Sequence, residues 1–315
     1  MAKKSSALSW IEYLAFRTFL GVIGILPRKL LLATGITLGS LIFRLLKSQR
    51  KRGMRNLEIA FPEMDNSRRE EILLNSFRSF GRVLGEYAKM PNADADYLRS
   101  LVEFDFHKEE SVRSKERAIV DVERAKGRGV ILIGPHLGNP EIGILAYSSF
   151  EDSISFIARR MDNPLIDSYL TSMRERFGNI SIGKADSVSA VLGILAEGGV
   201  VGVLPDVNSQ LSQGVFVPFF GVPACTPAGV AMLALRTNAM IIPMCCVWDE
   251  GLGKYRVTYG RMVEPVRSGD RDHNITETTA RFTAELEEFV RAMPDQYFWL
   301  HRRWKTRPPG EPSLY

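Results

Sequence analysis

His136 sits in the segment with the clearest chemical potential, Ile133-Gly134-Pro135-His136-Leu137-Gly138-Asn139-Pro140-Glu141. The imidazole follows an apolar run, Val130 to Ile133, of the kind that forms a strand buried on both faces. A histidine there falls at a strand's carboxyl end, where open α/β sheets place their ligands. Asn139 reads as an N-cap, Pro140 as the first helical residue and Glu141 as a first-turn acid. A neutral imidazole can accept a proton near neutral pH if a carboxylate sets its tautomer and stabilises the imidazolium. The helix N-terminus would add backbone N–H groups able to stabilise an oxyanion.

Other residues fall at the same sheet edge. Arg159 and Arg160 follow a second short strand, Ile154 to Ala158, with Asn163 close behind. Asp206 follows a third, Val200 to Leu204. If these strands are neighbours, His136, the two arginines and Asp206 share one crevice. Either Glu141 or Asp206 could then orient His136, and the spacing does not choose. The apolar stretch Gly214-Val215-Phe216-Val217-Pro218-Phe219-Phe220-Gly221 has two readings, a buried hairpin or one wall of an acyl-chain groove with Gly214, Phe216, Phe219 and Phe220 as contacts. Each buried methylene is worth roughly 0.8 kcal/mol, so a long chain needs such a channel. Thr226 reads as the cap of a helix starting at Pro227.

The positioning elements alternate. Strands at 130–133, 154–158, 200–204 and 241–247 are separated by helices at 165–177, 188–195 and from 227, the pattern of parallel βαβ units. A C-terminal helix places Phe282, Leu286, Phe289, Val290 and Met293 on one core-facing stripe, and Pro294 ends it. The first third differs. Leu73, Phe77, Phe80, Leu84 and Tyr87 mark an amphipathic helix, preceded by apolar runs at 18–26 and 30–43. These runs are too short to span a bilayer and favour an interfacial anchor, although a tilted span from Leu8 to Leu26 stays open. Arg44, Lys47, Arg50, Lys51, Arg52 and Arg55 follow without an acid among them, which suits an anionic membrane surface. The expected organisation is a membrane-associated helical segment at 1–56 and a catalytic domain at 57–315.

The net charge of +5 points only weakly to anionic partners. Cys225, Cys245 and Cys246 form no C-x-x-C pair, so neither a zinc ribbon nor a disulfide framework is indicated. No H-E-x-x-H or G-x-S-x-G occurs, which removes zincin proteases and α/β-hydrolases. Nucleic-acid binding has only the charge in its favour, with no recognition motif.

Four segments in order, HLGNPE, ARRMDNP, GVFVPFFG leading into TPAG, and QYFWLHRRWKTRP, resemble the bacterial lysophospholipid acyltransferases of the lipid A biosynthesis type. They cover most of the chain from about Arg50 to Arg307. The resemblance implies an open, mostly parallel sheet flanked by helices, like that of glycerol-3-phosphate acyltransferase, behind N-terminal membrane-associated helices. It implies transfer from an acyl carrier protein thioester to a hydroxyl of a glycolipid or phospholipid acceptor, in the first place a phosphorylated glycolipid, on the cytoplasmic face of the inner membrane and without metal or organic cofactor. His136 and Glu141 become the catalytic pair, and Arg160, Arg174, Arg302 and Arg303 candidates for phosphate or carrier protein. Pro140 and Val207 depart from the aromatic and the glutamine usual in that family, so lysophospholipid, ornithine-type lipid and mannoside glycolipid stay open as acceptors. A non-catalytic lipid-binding protein is the rival class, distinguished by binding without turnover.

Overall fold

The computed structural model describes residues 6–105, 112–157, 161–183 and 187–315. The chain opens with α1 (Ser6–Gly24), α2 (Arg28–Leu45), α3 (Lys47–Ala60), α4 (Asn66–Tyr87) and α5 (Ala95–Leu101). Then come β1 (Val102–Phe104), α6 (Val112–Ala125), β2 (Val130–Ile133), α7 (Pro140–Phe150), β3 (Ile154–Ile157), α8 (Pro164–Arg174) and β4 (Ile180–Ile182). The last part holds α9 (Ser187–Ala196), β5 (Val200–Val203), β6 (Gly214–Phe219), β7 (Val222–Pro227), α10 (Gly229–Thr237), β8 (Met240–Asp249), β9 (Lys254–Tyr259) and α11 (Arg271–Ala292).

Among the described residues, seven strands form one sheet in the order β1-β9-β8-β2-β5-β3-β4, with β6 and β7 as a separate hairpin. Neighbours run parallel except at β8/β9. The expected mostly parallel α/β sheet is therefore present. β2 is central and fully buried, as its uninterrupted apolar sequence requires. From β2 the chain passes over β5 to β3 and β4, returns to β5, then crosses to β8 on the other side of β2. The site edge lies at this reversal.

One expectation fails locally. The helix placed at Thr226-Pro227 begins only at Gly229, because β7 continues through Pro227. Thr226 pairs with Val215 across the hairpin, and its hydroxyl accepts a 2.5 Å hydrogen bond from Arg303 instead of capping a helix.

The N-terminal helices pack on the sheet domain. α2 crosses α4 so closely that a Cβ on Gly35 would lie 2.2 Å from the Gly81 carbonyl, and one on Gly39 2.3 Å from that of Phe77. Only glycine allows backbones to meet at that separation. α1 is tied to α8: Asn163 Nδ2 donates to the Ser9 carbonyl and to Glu12 Oε2, both at 2.9 Å. The Arg17 guanidinium lies 4.3 Å from the Tyr169 ring centroid. The two charges that interrupt the apolar sequence thus engage α8. Trp10, Ile11, Leu14, Phe19, Val22 and Ile25 of the same stretch are exposed. No single described helix is long and apolar enough to cross a membrane; α2 and α3 pass that test only jointly, across a 92° bend.

Candidate active site

His136 and Asp206 meet because their strands are register partners. β2 and β5 pair in parallel with Ile133 opposite Val203, and each functional residue lies three positions further on. Asp206 is buried, and its two oxygens divide the work. Oδ2 accepts the His136 backbone N–H at 2.8 Å, and Oδ1 lies 2.6 Å from ring Nδ1. An ionised carboxylate only accepts, so Nδ1 carries the proton and Nε2 keeps its lone pair. The His136 side chain remains 40% exposed while that of Asp206 is 2% exposed. One end of the imidazole is fixed and the other is accessible.

The Asp206 charge raises the His136 pKa above its ordinary 6.5, against a smaller opposing effect of burial. Burial alone would raise Asp206; the His136 charge, its two hydrogen bonds and nearby Arg303 outweigh this and hold the carboxyl below its usual value.

The turn after His136 is pinned on several sides. Gly138 has φ +63°, and a Cβ there would lie 2.1 Å from the Cys246 carbonyl, so this position demands glycine. The Gly138 N–H donates to the Gln296 carbonyl (3.1 Å) and that of Asn139 to Cys246 (2.8 Å). Asn139 caps α7 by accepting from the Ile142 N–H at 3.1 Å. Helix-terminal donors anticipated for an oxyanion are therefore already engaged at Gly138, Asn139 and Ile142. The Phe298 N–H reaches the His136 carbonyl at 2.9 Å, which joins the C-terminal segment to the turn.

Glu141 takes a different partner. It receives a two-pronged ion pair from Arg174, Nε to Oε2 at 3.0 Å and NH2 to Oε1 at 2.5 Å. Arg174 also reaches the Tyr87 hydroxyl at 3.5 Å. Burial, and then the Glu141 charge, push the Tyr87 phenol upward, so it stays protonated. Burial acts most strongly on Arg174 and would lower it, but the hydrogen bonds and charge of Glu141, with Tyr87 adding to them, together outweigh burial and raise its pKa.

The remaining sequence candidates divide. Arg159 and Arg160 lie outside the described residues. Asn163 is buried and committed to structure: its Oδ1 caps α8 and its amide holds α1. Arg303 is buried, not offered to a phosphate or carrier protein. It donates to the carbonyls of Val207 and Cys225, each at 3.2 Å, and sits 5.1 Å from the Phe219 ring centroid. Burial lowers its pKa, and the polar partners keep the charge tolerable. Phe219 and Phe220 are also inward, packed edge-to-face with each other at 4.9 Å and close to Phe61, Trp299 and Trp304. Both rings are buried. Gly214 opens β6, where a Cβ would lie 2.8 Å from the Thr226 carbonyl, while Phe216 is half-buried.

Residues behind Asp206 escaped sequence reasoning. Tyr297 is buried, and its phenol is pushed well up by burial and then by the Asp206 charge. His301 Nε2 accepts the Asn208 N–H at 2.8 Å, and burial lowers its pKa. Their one sequence signal was membership of QYFWLHRRW, and nothing local links that segment to a loop some 90 residues earlier.

An imidazole with a fixed tautomer and one accessible nitrogen, at the carboxyl edge of a parallel sheet, has the geometry that general-base chemistry requires. Residues 1–306 match the model of a family described as bacterial lipid A biosynthesis acyltransferases. The lipid A biosynthesis lauroyltransferase of Escherichia coli (strain K12) is 31% identical over 311 residues, covering 97% of this chain and 95% of that protein. The palmitoleoyltransferase of the same organism is 28% identical over 292 residues (92% and 90%), and a lipid A biosynthesis acyltransferase of Haemophilus influenzae 28% over 313 (98% and 94%). The chain belongs to the bacterial lipid A biosynthesis acyltransferase family and is an acyltransferase.

Proposed function

We propose that this enzyme transfers a fatty acyl group from an acyl carrier protein thioester to a hydroxyl of a lipid A precursor at the cytoplasmic face of the inner membrane. The observation that carries the chemistry is the His136–Asp206 pair, with Nδ1 held and the opposite ring edge accessible. His136 Nε2 takes the acceptor hydroxyl proton as the oxygen attacks the thioester carbonyl carbon. The tetrahedral oxyanion collapses, the carbon–sulfur bond breaks, and the thiolate takes the proton back from the imidazolium. Asp206 stabilises that imidazolium and does not itself exchange a proton.

Glu141 and Arg174 are assigned a positioning role, as an ion pair that ties the start of α7, just after the base, to α8. The acceptor and the lipid A pathway follow from what the relatives are named for. The exposed apolar face of α1 supports placement at a membrane surface.

Transfer of labelled acyl groups from carrier protein to a lipid A precursor tests the reading. His136→Ala is expected to abolish transfer while the protein stays folded and vesicle-bound, and full activity would refute the base assignment. Transfer from coenzyme A thioesters alone would refute the donor.

A further inference from the structure

The cleft between α2 and α4 has no part in the chemistry above. Its volume is about 810 Å³, and Arg44, Arg78 and Arg82 line it together with Glu250 and Asp295. Arg82 is 2.7 Å from Glu250 and 4.6 Å from the Trp248 ring centroid, so this pair is neutral within itself. Arg78 is aimed by uncharged groups: Nε donates to Ser40 Oγ (3.0 Å) and NH1 to Asn75 Oδ1 (3.1 Å). Arg44 carries no hydrogen bond or ion pair among the described residues. Two guanidinium groups therefore face one remaining carboxylate, Asp295.

The surroundings define the ligand class. The rim carries Leu41, which is exposed and lines the cleft, with Leu38 and Leu45 exposed one turn to either side of it on α2. A small soluble anion has no use for that rim, whereas an amphiphile does. The inner wall belongs to the catalytic neighbourhood: Gln296 lines the cleft, and its carbonyl accepts the Gly138 N–H two residues from His136. The Phe80 ring lies 5.9 Å from that of Phe298, whose N–H holds the His136 carbonyl.

We propose that the α2–α4 cleft binds the phosphomonoester headgroup of an anionic amphiphile seated in the bilayer, through Arg44 and Arg78. Its polar floor takes the phosphate, and the leucines of α2 at its rim rest among the acyl chains. The proposal deepens the acyltransfer reading and rests on it only in identifying that amphiphile with the acceptor.

Co-sedimentation of the full chain with vesicles tests it. The vesicles are phosphatidylcholine alone, or phosphatidylcholine doped with phosphatidic acid, which carries a phosphomonoester. Arg44→Gln/Arg78→Gln is expected to lose roughly tenfold or more in affinity for the doped vesicles, given the value of each basic residue at an anionic surface. Binding to phosphatidylcholine alone should stay unchanged, because the apolar faces remain. Both side chains are exposed, and circular dichroism confirms folding. Arg261→Gln/Arg271→Gln removes equal charge from the sheet domain, away from the N-terminal helices, and should lose under about threefold.

Equal losses in the two double variants would reduce the effect to bulk surface charge and overturn the site. A retained preference for phosphatidic acid in Arg44→Gln/Arg78→Gln would also overturn it. Inorganic phosphate protecting the vesicle-free protein in an Arg44- and Arg78-dependent way, with unchanged vesicle binding, would make this a soluble-anion site instead. The readout is binding by a chain with His136 and Asp206 intact, so failure here leaves acyl transfer standing. Failure of His136→Ala to abolish transfer leaves the cleft standing.

Discussion

Two carboxylates stand near His136, and they behave in opposite ways. Glu141 is five residues away in the chain, yet its oxygens are taken by Arg174 from α8. Asp206 is seventy residues away, yet it holds both the backbone and the ring of His136. The helical turn carries Glu141 onto α7 and toward α8, whereas β2–β5 registry carries Asp206 to the imidazole. Proximity along a chain says little about which acid serves a base; strand registry says much more.

Substitutions sharpen this contrast. The largest effect is expected from His136→Ala, a fall in kcat of roughly 10³–10⁴, within the range for losing a general base. Asp206→Asn should follow at roughly 10²–10³, with Nδ1 no longer forced to carry the proton. Its signature is a pH–rate profile whose acid limb moves to lower pH, because the charge that raises His136 is gone. Glu141→Gln should cost roughly tenfold to a hundredfold and leave that limb in place. If Glu141→Gln shifts the limb and Asp206→Asn does not, the two acids have been assigned the wrong way round.

The pH dependence of the unaltered enzyme has a definite sign. Only neutral His136 can act as base, so kcat/KM should rise with pH and level off, with its midpoint above 6.5. Stability runs the other way for this group. Its contribution is fully present below about pH 6.5 and lost as pH rises through the raised folded-state pKa. Asp206 is held below its ordinary value, so its contribution is present above about pH 4 and lost as pH falls through that lowered pKa. Urea unfolding across this range, in the wild type and in Asp206→Asn, would follow both limbs.

A smaller effect on catalysis, though not on folding, is expected at the hairpin. Phe220→Ala removes a buried ring among Phe61, Phe219 and Trp299, and should lower stability by about 3–5 kcal/mol. Acyl-chain selectivity should not change. A changed chain preference in the folded variant would restore the groove-wall reading for this residue.

Much of the fold was legible in residue patterns. Continuous apolar runs placed β2, β5 and β8, and the Asn139-Pro140 pair marked a real helix start, whereas Asn163, read as a crevice residue, turns out to cap α8 in the same way. Thr226-Pro227 carried the same kind of signal but lies in a strand, because hairpin pairing and Arg303 outbid a local cap for Thr226. Arg303 misled for a related reason. A cationic run reads as surface, and only the fold shows one guanidinium turned inward onto the Val207 and Cys225 carbonyls.

The sequence by itself determined the alternating architecture, the strand-end position of His136 and the two acids that could serve it. These follow from short-range sterics and apolar periodicity, which neighbouring residues carry. Tertiary structure alone decided that Asp206 orients the ring, that Glu141 is committed to Arg174, and that Tyr297 and His301 back the site. Those outcomes depend on strand order and on the C-terminal segment packing across the β2 turn, and no local pattern encodes contacts between residues that distant in the chain.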